Sequence, residues 1–153
     1  MIVGISVSWR DIPEELIQRY SLERRVIVRT EGAEREVRFL TWERPPIIPA
    51  WRDGQLLLFT WGGGRSRLPR EGWIEQENLG QWQQLLPQQV VIPALFGRVG
   101  AVWFQVPGGG VRGVLVHDER KQPCVYVLTE PATNYYKNMT RAQQMPVVLG
   151  EKI

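Results

Sequence analysis

Apolar and polar positions alternate in short runs along most of this chain, a pattern that predicts strands with one covered face. The first run, Ile2–Ser8, is β-branched and reads as a strand. Asp11 can then cap a helix whose first turn holds Pro13, Glu14 and Glu15. Proline there loses no needed donor, and the carboxylates complement the positive helix end. Leu16, Ile17 and Tyr20 fall at helical spacing on its buried side. Residues 26–29 and 36–41 predict a hairpin around Glu31-Gly32, with apolar Val37 and Phe39 alternating about Arg38.

Pro45, Pro46 and Pro49 bar a helix and predict extended chain over 45–49. Asp53-Gly54 turns the chain into a central strand, Gln55–Trp61. Gly62-Gly63-Gly64 with Arg65, Arg67 and Arg70 predicts a flexible loop bearing positive charge. A short helix is expected over 78–86, with Leu79, Trp82 and Leu86 on one face and Pro87 ending it. Further strands fall at 90–92, 101–106, 111–116 and 124–129, joined by Pro107-Gly108-Gly109-Gly110 and by a polar link over 118–123. A helical turn or two over 133–139 precedes the apolar 145–149. No repeat, heptad or low-complexity linker interrupts this order. The expectation is a single α+β domain over 1–153, mostly antiparallel β in a barrel-like sheet, with about three short helices.

Composition adds limits. At 153 residues, 43% of them hydrophobic, the chain can bury a core without staples. The lone Cys124 excludes an internal disulfide framework, and the lone His117 leaves no histidine pair, so neither metal nor cofactor is expected. No apolar run reaches the roughly 20 residues of a bilayer span, and the N-terminal pattern is not that of a secretion signal. A cytoplasmic protein with no membrane partner is expected. The charge of +3 does not by itself demand a polyanion. The basic side is nevertheless 16 Arg against 3 Lys, with 7 Trp. Guanidinium forks hold phosphates and indoles stack bases, so this pairing suits single-stranded nucleic acid.

Most single motifs have ordinary readings. Gly62-Gly63-Gly64 lacks the Gly-Lys-Ser/Thr of a phosphate loop, since Arg65-Ser66-Arg67 leads to Pro69. His117 and Asp118 are adjacent in a strand, so they point to opposite faces and read as a solvated strand end. Cys124 reads as a buried small hydrophobe. Glu75 and Glu77 complement a helix start, with an acid/base couple as the alternative. The informative feature is the arginine loop flanked by Trp61 and Trp73.

The order of segments resembles the SOS response-associated peptidase (SRAP) family, whose domain shields abasic sites in single-stranded DNA by covalent crosslinking. Met1-Ile2-Val3-Gly4 and Pro13-Glu14-Glu15-Leu16 stand where the family has Met-Cys-Gly-Arg and its short first helix. A Pro-rich stretch over 45–49 and a strand ending in Trp61-Gly62 follow in the family's order. Val91-Ile92-Pro93-Ala94, Leu128-Thr129-Glu130-Pro131-Ala132 and Met145-Pro146-Val147-Val148-Leu149 resemble its later segments. The resemblance implies an SRAP-like fold and a role in DNA damage.

The departures fall on the chemistry. Ile2 and Val3 replace the nucleophilic cysteine and its neighbour, so no thiazolidine can form. Glu77, beside Asn78, is the only echo of the family's Asn-Ala-Arg-x-Glu segment, and Ala142 falls at its catalytic histidine. No catalytic residue is therefore expected, because nucleophile and acid/base partner are lost together. What the resemblance leaves is a groove for DNA: Trp61, Gly62, Arg65, Arg67, Arg70 and Trp73, walled by Met145 and Pro146. The expected function is a catalytically degenerate SRAP-like protein that binds single-stranded or junction DNA non-covalently. The alternative is a protein-interaction module using the same groove, with Trp51 or Trp103 as anchors. A Schiff base from the Met1 amine is a third reading.

Overall fold

The computed structural model describes residues Met1–Ile153. A first, antiparallel sheet holds β1 (Ile2–Ser8), β2 (Val26–Ile27), β3 (Glu36–Leu40), β8 (Phe96–Val99) and β9 (Val102–Gln105), in the order β2-β3-β1-β8-β9. In the second, β4 (Ile47–Arg52), β5 (Gln55–Trp61), β11 (Pro123–Pro131), β10 (Gly110–His117) and β7 (Gln88–Pro93) pair in turn. The last of these returns to the first through Trp51 and Val91, which closes the ring. β6 (Trp73–Glu75) and β12 (Gln144–Pro146) extend β11 beyond it. Short helices α1 (Glu14–Tyr20) and α2 (Asn134–Thr140) and a 3-10 helix, Gln76–Leu85, complete an α+β fold that is mostly antiparallel and barrel-like, as the alternation predicts.

The core fills the space between sheet and barrel. Ile5, Val37 and Phe39 from the sheet are fully buried there with Ile48, Ile92 and Val127 from the barrel. Each alternates with residues of the opposite face, so a strand's period of two selects which residues enter. Asp53 (φ 52) and Gly54 (φ 76) form the left-handed pair that a two-residue hairpin turn requires between β4 and β5. Thr133 caps α2 by accepting from Tyr136 N at 3.2 Å. No helix is long and apolar enough to cross a membrane.

Several local expectations change. Asp11 does not cap α1: it lies in a preceding 3-10 turn, Trp9–Asp11, and α1 starts after Pro13 with no side-chain cap. In place of the 78–86 helix stands the 3-10 helix Gln76–Leu85, whose three-residue period aligns Leu79, Trp82 and Leu85 against a second apolar cluster around Val114, Tyr126 and Leu128. Leu86 is thereby 84% exposed rather than on the buried face. The hairpin strand before Glu31-Gly32 stops at Ile27, because Arg29 turns across the sheet to reach Glu36. β8 has no clean alternation in sequence. It forms because Gly97 lies opposite Phe104, where a Cβ would run into the ring.

Candidate nucleic-acid interface

β5 delivers Trp61 to the base of a cleft of about 760 Å³. Trp61 is only 3% exposed, and its Nε1 donates to the Gly72 carbonyl at 2.8 Å. It forms a floor, so the stacking role expected of Trp61 is not available to it: its ring is covered. Trp73, at the start of β6, is the half-buried indole in the cleft.

The loop after Trp61 is folded onto itself, not flexible as the glycine run predicts. Gly62 (φ 83) takes a left-handed turn, and a Cβ there would sit 2.5 Å from the Arg70 carbonyl oxygen. Gly63 N donates to the Pro69 carbonyl at 2.9 Å, and the Tyr126 hydroxyl donates to the same oxygen at 2.7 Å. Gly62 and Gly63 are therefore there for close backbone packing, and Gly62 does not line the cleft as expected; Gly64 (φ 56) does. This packing turns Arg65 and Arg70 to the cleft. Arg67 is a correction: its backbone N–H is held by both Glu119 carboxylate oxygens, at 3.1 and 3.2 Å, and it does not line the cleft.

A third arginine, Arg44, also lines the cleft, which no local sequence signal predicts. Glu43 organises this turn by accepting from Leu40 N at 3.2 Å and by facing Arg25 and Arg38, each at 3.7 Å. Arg44 itself donates to the Thr41 carbonyl at 3.2 Å. Nothing local in sequence separates it from the other arginines.

The β1 end supplies Met1, Ile2 and Val3 to the same cleft. Met1, Ile2 and Val3 thus line the same cleft as Arg65 and Trp61. Arg44, Arg65 and Arg70 have no carboxylate at ion-pair distance, and Glu71 is the one acid lining the cleft. The cleft is therefore positive.

The remaining expected residues lie elsewhere. Met145 is 1% exposed and Pro146 is buried, because β12 pairs with Thr129 and Glu130 and lays them into the core. They do not wall the cleft. Ala142 is buried at the end of α2, with its N–H donated to Thr140 Oγ1. Glu77 lines a separate hollow of about 290 Å³ with Glu75 and Glu130. No group of three His, Cys, Asp or Glu side chains is placed to hold a metal ion. The chain matches no known protein family, curated protein or solved structure.

His117 ends β10 exposed, opposite Pro123, as a solvated strand end should. Cys124 is 2% exposed, and burial pushes its thiol up to about 11, with the Asp118 and Glu119 carboxylates adding to the shift. It is the unreactive hydrophobe its flanking residues predict. Trp51 is 42% exposed on the barrel, whereas Trp103 is half-buried among arginines of the sheet.

Proposed function

We propose that this chain is a catalytically silent SRAP-like domain whose cleft binds single-stranded or junction DNA without covalent chemistry. One observation carries the reading: Arg44, Arg65 and Arg70, all free of carboxylates, converge with Trp73 on one open cleft. Guanidinium forks match phosphate oxygens, and a stacked base on Trp73 contributes about 1–3 kcal/mol. Ile2 and Val3 line this cleft but carry only aliphatic side chains, so neither can act as a nucleophile there. The SRAP resemblance supports a place in DNA-damage handling.

The test is fluorescence anisotropy with a single-stranded oligonucleotide and a single/double-strand junction across a salt series. Contacts from the three arginines to phosphates give a log–log slope of about −2, at roughly −0.7 per phosphate. Replacing Arg65 and Arg70 together by Ala removes most of the affinity. A salt-independent response, or unchanged affinity in that double variant, sinks the reading. A polypeptide partner is the second reading, favoured by the apolar side that Met1, Val3 and Pro46 give the cleft. It predicts capture of a protein ligand with no affinity for oligonucleotides.

A further inference from the structure

The outer face of the five-stranded sheet carries rings and guanidinium groups in alternation. The Arg29 guanidinium lies 3.8 Å from the Phe96 ring centroid and 4.5 Å from that of Trp103. The Arg98 guanidinium lies 5.7 Å from Trp103 and 5.0 Å from Trp42. The stack therefore runs Phe96, Arg29, Trp103, Arg98, Trp42.

Its two arginines differ in charge balance. Arg29 Nε donates to both oxygens of Glu36, at 3.1 and 3.0 Å, and Glu36 is 5% exposed. That end is neutralised and sealed. Arg98 faces no carboxylate at ion-pair distance; its Nε donates to the Gly100 carbonyl at 2.7 Å, which leaves the terminal amino groups for an incoming acceptor. Trp42 is 52% exposed. A large indole held against a cation with half its surface in water is a pre-ordered stacking plane.

This open end adjoins the cleft. Arg98 sits across from Gly4 of β1, one residue beyond the cleft-lining Val3. Thr41, also in the cleft, donates its N–H to the Val3 carbonyl at 2.9 Å, and Trp42 follows it directly in the chain. Gly4 keeps the crossing low, because a Cβ there would lie 2.5 Å from Leu40 Cδ2 and 3.2 Å from Arg98 Cβ.

We infer that a DNA strand held in the cleft continues over this rim, with one base stacked on Trp42 and a neighbouring phosphate on Arg98. This rests on the proposed DNA-binding reading and extends it by a second contact region. An unneutralised guanidinium beside an exposed ring, continuous with a positive cleft, is the chemistry of a single-strand path. Trp73 and Trp42 then serve successive parts of one strand.

The test compares oligothymidylates of about four and about 12 nucleotides, lengths that span the site of one binding domain. Trp42→Ala lowers affinity for the longer strand about five- to 150-fold, the equivalent of one lost stack, and leaves the shorter one unchanged. Trp42→Phe restores most of the loss. Arg98→Ala reduces the salt slope on the longer strand by about 0.7. Circular dichroism and thermal midpoints confirm that these exposed substitutions fold. If both variants bind the longer strand as the unaltered protein does, or lose both lengths equally, the extension is wrong. The cleft reading then still stands, provided the Arg65→Ala, Arg70→Ala protein is weakened on both lengths. Failure of the unaltered protein to bind either length overturns both.

Discussion

The Trp61 indole N–H donates to the Gly72 carbonyl, and that same oxygen also accepts from Val127 N at 2.9 Å. One carbonyl thus joins the end of β5, the arginine loop and β11. Gly72 has no room for a side chain, since a Cβ there would run into the Trp61 indole.

Gly72→Ala is therefore expected to displace Trp61 and to destabilise the fold by about 1–3 kcal/mol, the usual cost of overpacking. Trp61→Phe loses the hydrogen bond, at about 1 kcal/mol, and loosens the segment that aims Arg65 and Arg70. Urea midpoints and oligonucleotide anisotropy should fall together in both variants. Unchanged DNA affinity in a destabilised Gly72→Ala protein would separate the loop from binding.

Glu36 sits in a buried network. It accepts from Ser6 Oγ at 2.6 Å and pairs with Arg29 Nη2 at 2.9 Å. Arg29 also lies across the sheet onto Phe96 and Trp103, so one removal disturbs both charge and stacking. Breaking such a pair from one side costs about 3–5 kcal/mol. Glu36→Gln should show that loss in chemical denaturation; a cost under about 1 kcal/mol would mean the pair is solvated in practice.

Cys124 makes stability depend on alkaline pH. Its thiol ionises near 9.0 when free and at about 11 in the fold, chiefly through burial. Between those values the unfolded chain has lost the proton that the folded chain retains. Stability from this residue is thus intact below pH 9 and declines by about 1.4 kcal/mol per unit as pH rises toward 11. Cys124→Ala should flatten the fall between about pH 9 and 10; above that the Tyr126 and Tyr136 hydroxyls, also raised from 10.0 by burial, add their own decline. Native thiol labelling at pH 8 should be slow until the protein is unfolded.

Thr129 is fully buried in β11, and its Oγ1 has no hydrogen-bond partner. An orphaned hydroxyl costs desolvation that a methyl group of the same shape does not. Thr129→Val should accordingly leave the thermal midpoint unchanged or raise it, by up to about 1 kcal/mol in stability. A clear drop would reveal a partner for that oxygen, such as a bound water.

Much of the fold is legible in the sequence. Ile2–Ser8 and Gln55–Trp61 coincide with β1 and β5, and the Asp53-Gly54 turn lies where its dipeptide places it. The cleft was legible in part: Trp61, Arg65, Arg70 and Trp73 line it, together with Ile2 and Val3. Arg44 carries no local signal, and of the residues expected in the groove Gly62, Arg67, Met145 and Pro146 do not line it. Which residues face the cleft is set only after strands from distant parts of the chain have paired.

Alternation, turn dipeptides and proline positions act over two to four residues, so the sequence by itself determined most of the longer strands, the mostly antiparallel class and the buried Cys124, but not β6 or β8. Direction is another matter. The parallel pairing of β5 with β11 is one link of the ring, and the docking of Trp61 on Gly72 folds a glycine run into a packed arginine loop. Only the tertiary structure decided this, and with it the cleft and the Trp42–Arg98–Trp103 stack. Such contacts join segments tens of residues apart, and no local periodicity carries information about which distant face a guanidinium or an indole will meet.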